Sequence, residues 1–333
     1  MTDLTSSETW DRPSKSIGRV VLDVSRRYAT VGLIIVLGVV FTFASPFFLT
    51  PSNLSDMLLS QGVKAGVALA VLFPLIIGEF DLSVGYLVGF LAVLGAKIAH
   101  SGWPAWAIVL VMLALSVLIG WINGLLVVTL RISAFIATLA TGIVLGAMSN
   151  GISGGQIIFG DVPKILIDIG RGRFLGMGIS IWIILLIAAI LVYVLEHMPV
   201  GRKFYAIGGN ETVAFFAGVP TPRYRIMAFI MAGLLVGIAS VFQLGLRAGG
   251  DPTFGPGLLL PAYAAVFLGM TAHRPGQYNV IGTIIAIVLL AVGFNGLSLI
   301  GVPFWAEPLF DGLILLVAVL VANKEAREVK VGA

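Results

Sequence analysis

The chain has 333 residues, of which 59% are hydrophobic and only 11% are charged, and its mean hydropathy is +1.06. A soluble domain carries about 25% charged residues, so this composition excludes a soluble protein and predicts a polytopic membrane protein. The net charge of +4 comes from dispersed basic residues, which argues against nucleic acid as a partner. The absence of cysteine excludes disulfides, thiolate metal sites and cysteine nucleophiles.

Apolar runs of about 17–25 residues recur along the chain, as membrane-spanning helices require. The runs are continuous, and a closed helical bundle satisfies the backbone hydrogen bonds inside lipid. We therefore predict an all-α, polytopic helical bundle of about ten transmembrane helices in a lipid bilayer. In chain order, the predicted spans are 28–49, 61–78, 82–99, 104–130, 133–152, 179–196, 224–246, 257–272, 277–299 and 303–322.

The distribution of Lys and Arg predicts the orientation of the bundle. With the N-terminus inside, the cytoplasmic segments hold 14 of the 20 basic residues, as the positive-inside rule requires. The predicted division is a cytoplasmic N-terminal segment (1–27), a transmembrane domain (28–322) and a cytoplasmic tail (323–333). Both termini are therefore expected in the cytoplasm.

A polar break at 78–83 interrupts an apolar stretch and contains Glu79, Asp81 and Ser83. It predicts either a tight cytoplasmic turn or a break at membrane depth that faces a cavity. Asp81 or Ser83 can cap the first turn of the following span, and Asp81 can also line a solute route. No other span interior is expected to carry an acid, which counts against an ion-coupled transporter.

Two segments resemble each other at a separation of five spans. Asn123 lies in Gly-Trp-Ile-Asn-Gly-Leu at 120–125, and Asn295 lies in Gly-Phe-Asn-Gly-Leu at 293–297. Because five is odd, two such halves would insert in opposite directions, which predicts an inverted 5+5 repeat with a route between the halves. The asparagines suit either interhelical hydrogen bonds or contact with a polar solute. The aromatic residues after each segment suit either the membrane interface or stacking on a sugar-like ring. They are Phe135, Phe304 and Trp305.

A polar island between two long apolar runs predicts a short helix outside the membrane. Asn210 or Thr212 can cap it, residues 211–217 give about two turns, and Gly218 can end it. Ala214, Phe215 and Phe216 would form an exposed apolar knob, which is typical of a protein-docking helix, although a helix lying on the bilayer is an alternative. The predicted docking residues are Gly208, Gly209, Asn210, Glu211, Ala214, Phe215, Phe216 and Gly218.

Signatures of catalysis and metal binding are missing from the sequence. The three histidines have no metal-ligand spacing, and the phosphate-binding Gly-x-x-x-x-Gly-Lys-Ser/Thr loop does not occur. Gly-x-Ser-x-Gly and Ser-x-x-Lys are also missing. We expect neither an enzyme nor a resident metal or cofactor.

Three motifs resemble the permease subunits of bacterial ABC importers for ribose, galactose, xylose and related sugars and polyols. They lie at 78–85 (Gly-Glu-Phe-Asp-Leu-Ser-Val-Gly), at 201–218, and at 295–297 with the aromatic pair at 304–305. The resemblance covers about 50–322, and it implies that the helical bundle lies in a bacterial inner membrane. It implies a cytoplasmic ATPase docked on the helix within 201–223, a periplasmic sugar-binding protein, and a second permease copy, either identical or a close paralogue.

The sequence departs from the family pattern at three places. Glu79 replaces a glycine, 260–265 lacks the usual acid, and 269–276 lacks the usual glycine pair. The leading prediction is a permease for an uncharged polyhydroxyl solute, with nucleosides or a furanose-like signalling molecule fitting almost as well. The predicted route residues are Asp81, Ser83, Asn123, Phe135, Asn295, Phe304 and Trp305. The alternatives are an ion-coupled symporter that uses Glu79 and Asp81 and, less favoured, a membrane enzyme.

Overall fold

The computed structural model describes residues 17–303 and 305–331, and within them the chain is almost entirely helical, as predicted. The helices are α1 (Ile17–Ala44), α2 (Pro51–Ile76), α3 (Ser83–His100), α4 (Ala105–Val128), α5 (Ala134–Ser153), α6 (Lys164–Arg171), α7 (Ile179–His197), α8 (Pro199–Gly209), α9 (Glu211–Phe216), α10 (Thr221–Arg247), α11 (Leu259–Gly269), α12 (Val280–Leu299) and α13 (Ala306–Val331). Four two-residue strands form two antiparallel pairs, β1 (Ile158–Phe159) with β4 (Gly249–Gly250) and β2 (Arg173–Phe174) with β3 (Met177–Gly178).

Seven helices in the described part of the chain are long and apolar enough to cross a membrane: α2, α3, α4, α5, α7, α10 and α12. The count of ten spans therefore stays a prediction. The predicted span at 257–272 is not one continuous α-helix, because a 3-10 turn at Gly255–Leu258 precedes the 11-residue helix α11. At 1.5 Å per residue such a helix rises about 17 Å, which is about half of a bilayer's hydrocarbon thickness.

Helix α2 begins ten residues earlier than the predicted span at 61–78. The backbone N–H of Asn53 donates to the Thr50 hydroxyl at 3.3 Å, and Pro51 occupies the first turn. A capping threonine followed by proline is a strong helix start, and this local signal explains the earlier beginning.

Helices α2, α3 and α10 form the buried centre of the bundle, and α4 lies directly against α10. Small residues allow the α4–α10 approach. A Cβ atom on Gly120 would lie 2.3 Å from the Phe229 carbonyl oxygen, and one on Gly233 would lie 2.3 Å from the Ser116 carbonyl oxygen. Close backbone approach through small residues is typical of helix pairs in membranes.

The two ends of α10 define the two ends of the bundle. Its first residue, Thr221, follows α9, and we call this the α9 end. At its last turn the Arg171 Nε of α6 donates to the Leu246 carbonyl oxygen at 2.7 Å, and we call this the α6 end. The 27 residues of α10 rise about 40 Å between these ends, which is enough to cross a membrane.

Candidate functional site

Helix α9 is the short helix that the polar island predicts. The Val213 N–H donates to the Asn210 side-chain oxygen at 3.0 Å, so Asn210 caps the helix, and Glu211 lies in its positively polarised first turn. Gly218 has a φ of +83°, which glycine adopts without steric penalty. The predicted cap and stop are therefore confirmed, and the helix end at Phe216 lies one residue before the predicted one.

The exposed face of α9 is apolar, although the prediction that Ala214 belongs to this face is wrong. The Phe216 side chain is 82% exposed, and Phe215 and Val213 are also exposed. Ala214 is buried, because the helix turns its position towards the bundle. We define the α9 knob as Val213, Phe215 and Phe216, an exposed cluster larger than the isolated apolar residue common on surfaces.

Helix α8 connects this knob to the bundle and was not predicted. Pro199 in its first turn was the available sequence signal. A Cβ atom on Gly208 would lie 1.8 Å from the carbonyl oxygen of Ile76, the last residue of α2. The Tyr205 hydroxyl donates to the Tyr278 carbonyl oxygen at 2.8 Å, and burial raises the pKa of Tyr205 to about 12, so it stays a neutral donor.

Arg225, in the first turns of α10, ties α9 to the polar break between α2 and α3. Its Nη1 donates to Glu211 at 2.9 Å, and its Nη2 pairs with Glu79. Both Arg225 and Glu79 are about one-fifth exposed, so this pair is less screened by water than a surface pair. Glu79, the residue that departs from the glycine of the family pattern, is thus half of an ion pair.

Three predicted route residues meet in one buried network at the start of α3. The Asp81 carboxylate accepts hydrogen bonds from the Ser83 N–H at 3.0 Å and the Ser83 hydroxyl at 2.6 Å. The Asn123 side-chain nitrogen donates to the Ser83 hydroxyl oxygen at 2.8 Å. All three residues are buried, so the Asp81 carboxylate satisfies the N–H of Ser83, the first residue of α3, from inside the protein. The Asn123 side-chain oxygen accepts no hydrogen bond from the described residues.

Tyr263 of α11 completes this network, and sequence reasoning did not single out its role. The Asp81 N–H donates to the Tyr263 hydroxyl at 3.0 Å, and that hydroxyl donates to the Asp81 carbonyl oxygen at 2.9 Å. The signal available was the tyrosine itself, since a buried tyrosine in an apolar helix needs a partner for its hydroxyl.

Replacing this hydroxyl should weaken the fold. Tyr263→Phe leaves the buried Asp81 N–H without an acceptor, which costs about 1–3 kcal/mol. We expect a lower thermal midpoint in detergent. The control is Tyr193→Phe, because Tyr193 is exposed and its hydroxyl bonds to no described residue. Equal midpoints for the two variants would contradict the role assigned to Tyr263.

The other predicted route residues lie away from the Asp81 network. Asn295 exchanges hydrogen bonds of 2.9 Å with Asn53 near the start of α2, whereas Asp81 follows the end of α2. Phe135 and Trp305 are exposed, and Phe304 lies outside the described residues. The partners of Asn123 and Asn295 belong to different helices, and the inverted repeat stays a prediction.

The expectation that no further span interior carries an acid is wrong. Asp311 is buried in α13, inside the predicted span at 303–322. One turn earlier, Glu307 pairs with Lys64 of α2 at 2.9 Å. Lys64 and Glu307 are 243 positions apart in the sequence, and a charge pattern alone does not reveal that they meet.

Comparison with known proteins decides the family. The family described as the permease component of a branched-chain amino acid transport system matches residues 53–321. The ribose import permease protein RbsC of Escherichia coli K12 is 32% identical over 298 residues, covering 89% of this chain and 92% of that protein. The chain belongs to this permease family.

Further relatives of the permease extend the same result. RbsC of Bacillus subtilis is 33% identical over 293 residues, covering 87% of the permease and 91% of that protein. An L-arabinose ABC transporter permease protein, AraH of Azospirillum brasilense, is 30% identical over 315 residues, covering 92% and 90%. The resemblance carried by the three motifs is confirmed. The chain is a multi-pass membrane protein and a non-catalytic transport subunit.

Proposed function

We propose that this permease is the membrane subunit of an ATP-driven importer for an uncharged monosaccharide or polyol. A separate cytoplasmic ATPase binds the α9 knob, and a periplasmic binding protein delivers the solute at the α6 end. A second permease copy, identical or a close paralogue, completes the route. Support for the solute class comes from the relatives named for ribose and L-arabinose transport.

The observation that carries this proposal is the α9 knob on a capped helix. An apolar cluster on an otherwise polar segment is typical of a protein-binding anchor. The excess of Lys and Arg in the segments at this end supports a cytoplasmic position for it, where an ATPase acts. Two contacts then connect the knob to the bundle, namely Gly208 against the end of α2 and Arg225 between Glu211 and Glu79.

The solute route passes the Asp81 network in this proposal. Asp81, Ser83 and Asn123 lie at the α9 end, where solute would leave, and the free oxygen of Asn123 offers a hydrogen-bond acceptor. Asn295 lies near the end of α12 and close to the start of α2, and Trp305 follows α12. Both are therefore on the side of solute entry in this proposal. Alternating access exposes such groups in turn as the bundle changes state.

The energy source is tested by reconstituting the permease with its cognate ATPase and binding protein. Proteoliposomes filled with ATP should accumulate a labelled neutral sugar, tested with D-ribose, L-arabinose and a panel of hexoses and polyols. We expect uptake to require ATP and to persist when a protonophore dissipates the proton gradient. Uptake that collapses with the protonophore while ATP stays high would instead support the ion-coupled alternative.

A further inference from the structure

A second polar cluster lies between α2 and α13, away from the Asp81 network. Lys64 stands near the centre of α2, one of the seven helices suited to crossing a membrane. Its Nζ lies 2.9 Å from a Glu307 oxygen and 5.1 Å from the centre of the Phe294 ring. Gln61 is one turn before Lys64, and Asp311 is one turn after Glu307, so each pair shares a helix face.

The open side of this cluster faces something other than lipid. The Lys64 and Glu307 side chains are 26% and 34% exposed at the surface of the single chain. Lys64 lies halfway along a helix suited to crossing a membrane, where a charged group is unfavourable in hydrocarbon and normally faces a water-filled cavity or another protein. In the proposed importer, a water-filled solute route would supply this cavity.

Asp311 supplies an independent indication of a ligand. It is only 7% exposed, and no described residue donates a hydrogen bond to its carboxylate. Its side chain lines a space of about 10 Å³, enough for about one water molecule, together with Gln61, Lys64 and Phe294. A buried carboxylate needs donors, so water supplies them in this conformation and solute hydroxyl groups would replace that water once the route opens.

The residues of the cluster match the chemistry of a neutral sugar. The two carboxylates and the Gln61 amide oxygen can accept hydrogen bonds from hydroxyl groups, and Lys64 can donate to hydroxyl oxygens. The Phe294 ring can pack on the apolar face of a sugar ring. Two carboxylates against one ammonium leave a negative excess, which disfavours anionic solutes.

We propose that Gln61, Lys64, Phe294, Glu307 and Asp311 form a contact site for the neutral polyhydroxylated solute inside the membrane. The inference rests on the proposed import function and adds a place on the route where the solute is held. The site lies between the entry side near Asn295 and the exit side near Asp81.

The test uses the complete reconstituted importer and measures sugar uptake, ATP hydrolysis and thermal midpoint together. Asp311→Asn keeps the shape and removes the charge of the buried acceptor. We expect uptake per ATP hydrolysed to fall at least tenfold, while ATP hydrolysis stimulated by the binding protein stays within twofold. Glu196→Gln is the matched control, because it removes one carboxylate from an ion pair outside the cluster, whose partner Arg274 is 43% exposed, and it should leave uptake within twofold.

A charge-swapped double variant distinguishes two roles of the ion pair, namely contact with the solute and attachment of α13 to α2. Lys64→Glu with Glu307→Lys keeps an ion pair but exchanges the donor and acceptor positions that the solute meets. We expect normal assembly with uptake still reduced tenfold. Restored uptake, or Asp311→Asn uptake within twofold of the unaltered importer, would overturn the contact site.

Phe294→Leu provides a second measurement if Asp311→Asn does not fold. It removes the ring while keeping an apolar side chain, and a fivefold loss of uptake per ATP hydrolysed is expected. Unchanged uptake by a folded Phe294→Leu importer would also contradict the site. Failure of the unaltered importer to take up any neutral sugar would overturn the proposed import function itself, which is a separate result.

Discussion

Phe216→Asp should abolish association of the permease with its ATPase and reduce sugar uptake at least a hundredfold. Phe216 is the most exposed member of the α9 knob, and a buried aromatic anchor at an interface is worth about 2 kcal/mol or more, or roughly thirtyfold in affinity. The aspartate adds the desolvation of a new charge to this loss. Co-purification from detergent and uptake in proteoliposomes measure the two effects.

The control for this variant is Phe159→Asp, which introduces the same charge at an exposed ring of the α6 end. ATPase association should survive it, because that end faces away from the cytoplasm in the proposed orientation. If Phe216→Asp retains both association and uptake, the docking role of α9 is wrong. A loss of association in both variants would point to a general defect in folding.

Gly208→Ala should destabilise the permease and disconnect α8 from α2. The new methyl group would start 1.8 Å from the Ile76 carbonyl oxygen, so the two backbones must separate. Overpacking of this kind costs about 1–3 kcal/mol and occasionally more, and we expect the upper part of that range because the obstacle is backbone. The thermal midpoint should fall by several degrees, with a matching loss of uptake.

The neighbouring glycine provides the control. A Cβ atom on Gly209 would meet nothing within 4 Å, so Gly209→Ala adds the same methyl group to the same helix without a clash. Its effect should be neutral or slightly stabilising, by up to about 1 kcal/mol, because alanine favours helix. Equal losses in the two alanine variants would show that the contact of Gly208 with α2 does not matter.

Local features were predictable from the sequence, and long-range contacts were not. The α9 cap follows from Asn210 and Gly218, and the hydrogen bonds at the start of α3 follow from Asp81 and Ser83, because these interactions join residues two or three positions apart. The family motifs predicted the permease for the same reason, since each is a short local pattern.

The contacts that connect these local pieces depend on the packing of distant helices. Glu79 and Arg225 are 146 positions apart, and a charge count cannot show that they meet. The pair of Lys64 with Glu307 is similarly remote, which is why the second polar cluster was missed. The predicted span at 257–272 was longer than helix α11, because hydropathy does not reveal that a 3-10 turn at Gly255–Leu258 shortens the α-helical part of an apolar run.

The Arg225 guanidinium contacts both Glu211 and Glu79, and this has a consequence for how a movement of α9 is transmitted to the bundle. One planar group holds Glu211 on α9 and Glu79 beside α3, and its donor positions are fixed relative to each other. If the ATPase draws α9 away, the arginine must either follow it and release Glu79 or stay and release Glu211. A connection of this kind has two discrete states, one with the Glu79 pair intact and one with the Glu211 pair intact. The start of α3 would therefore receive the movement of the ATPase as a discrete step.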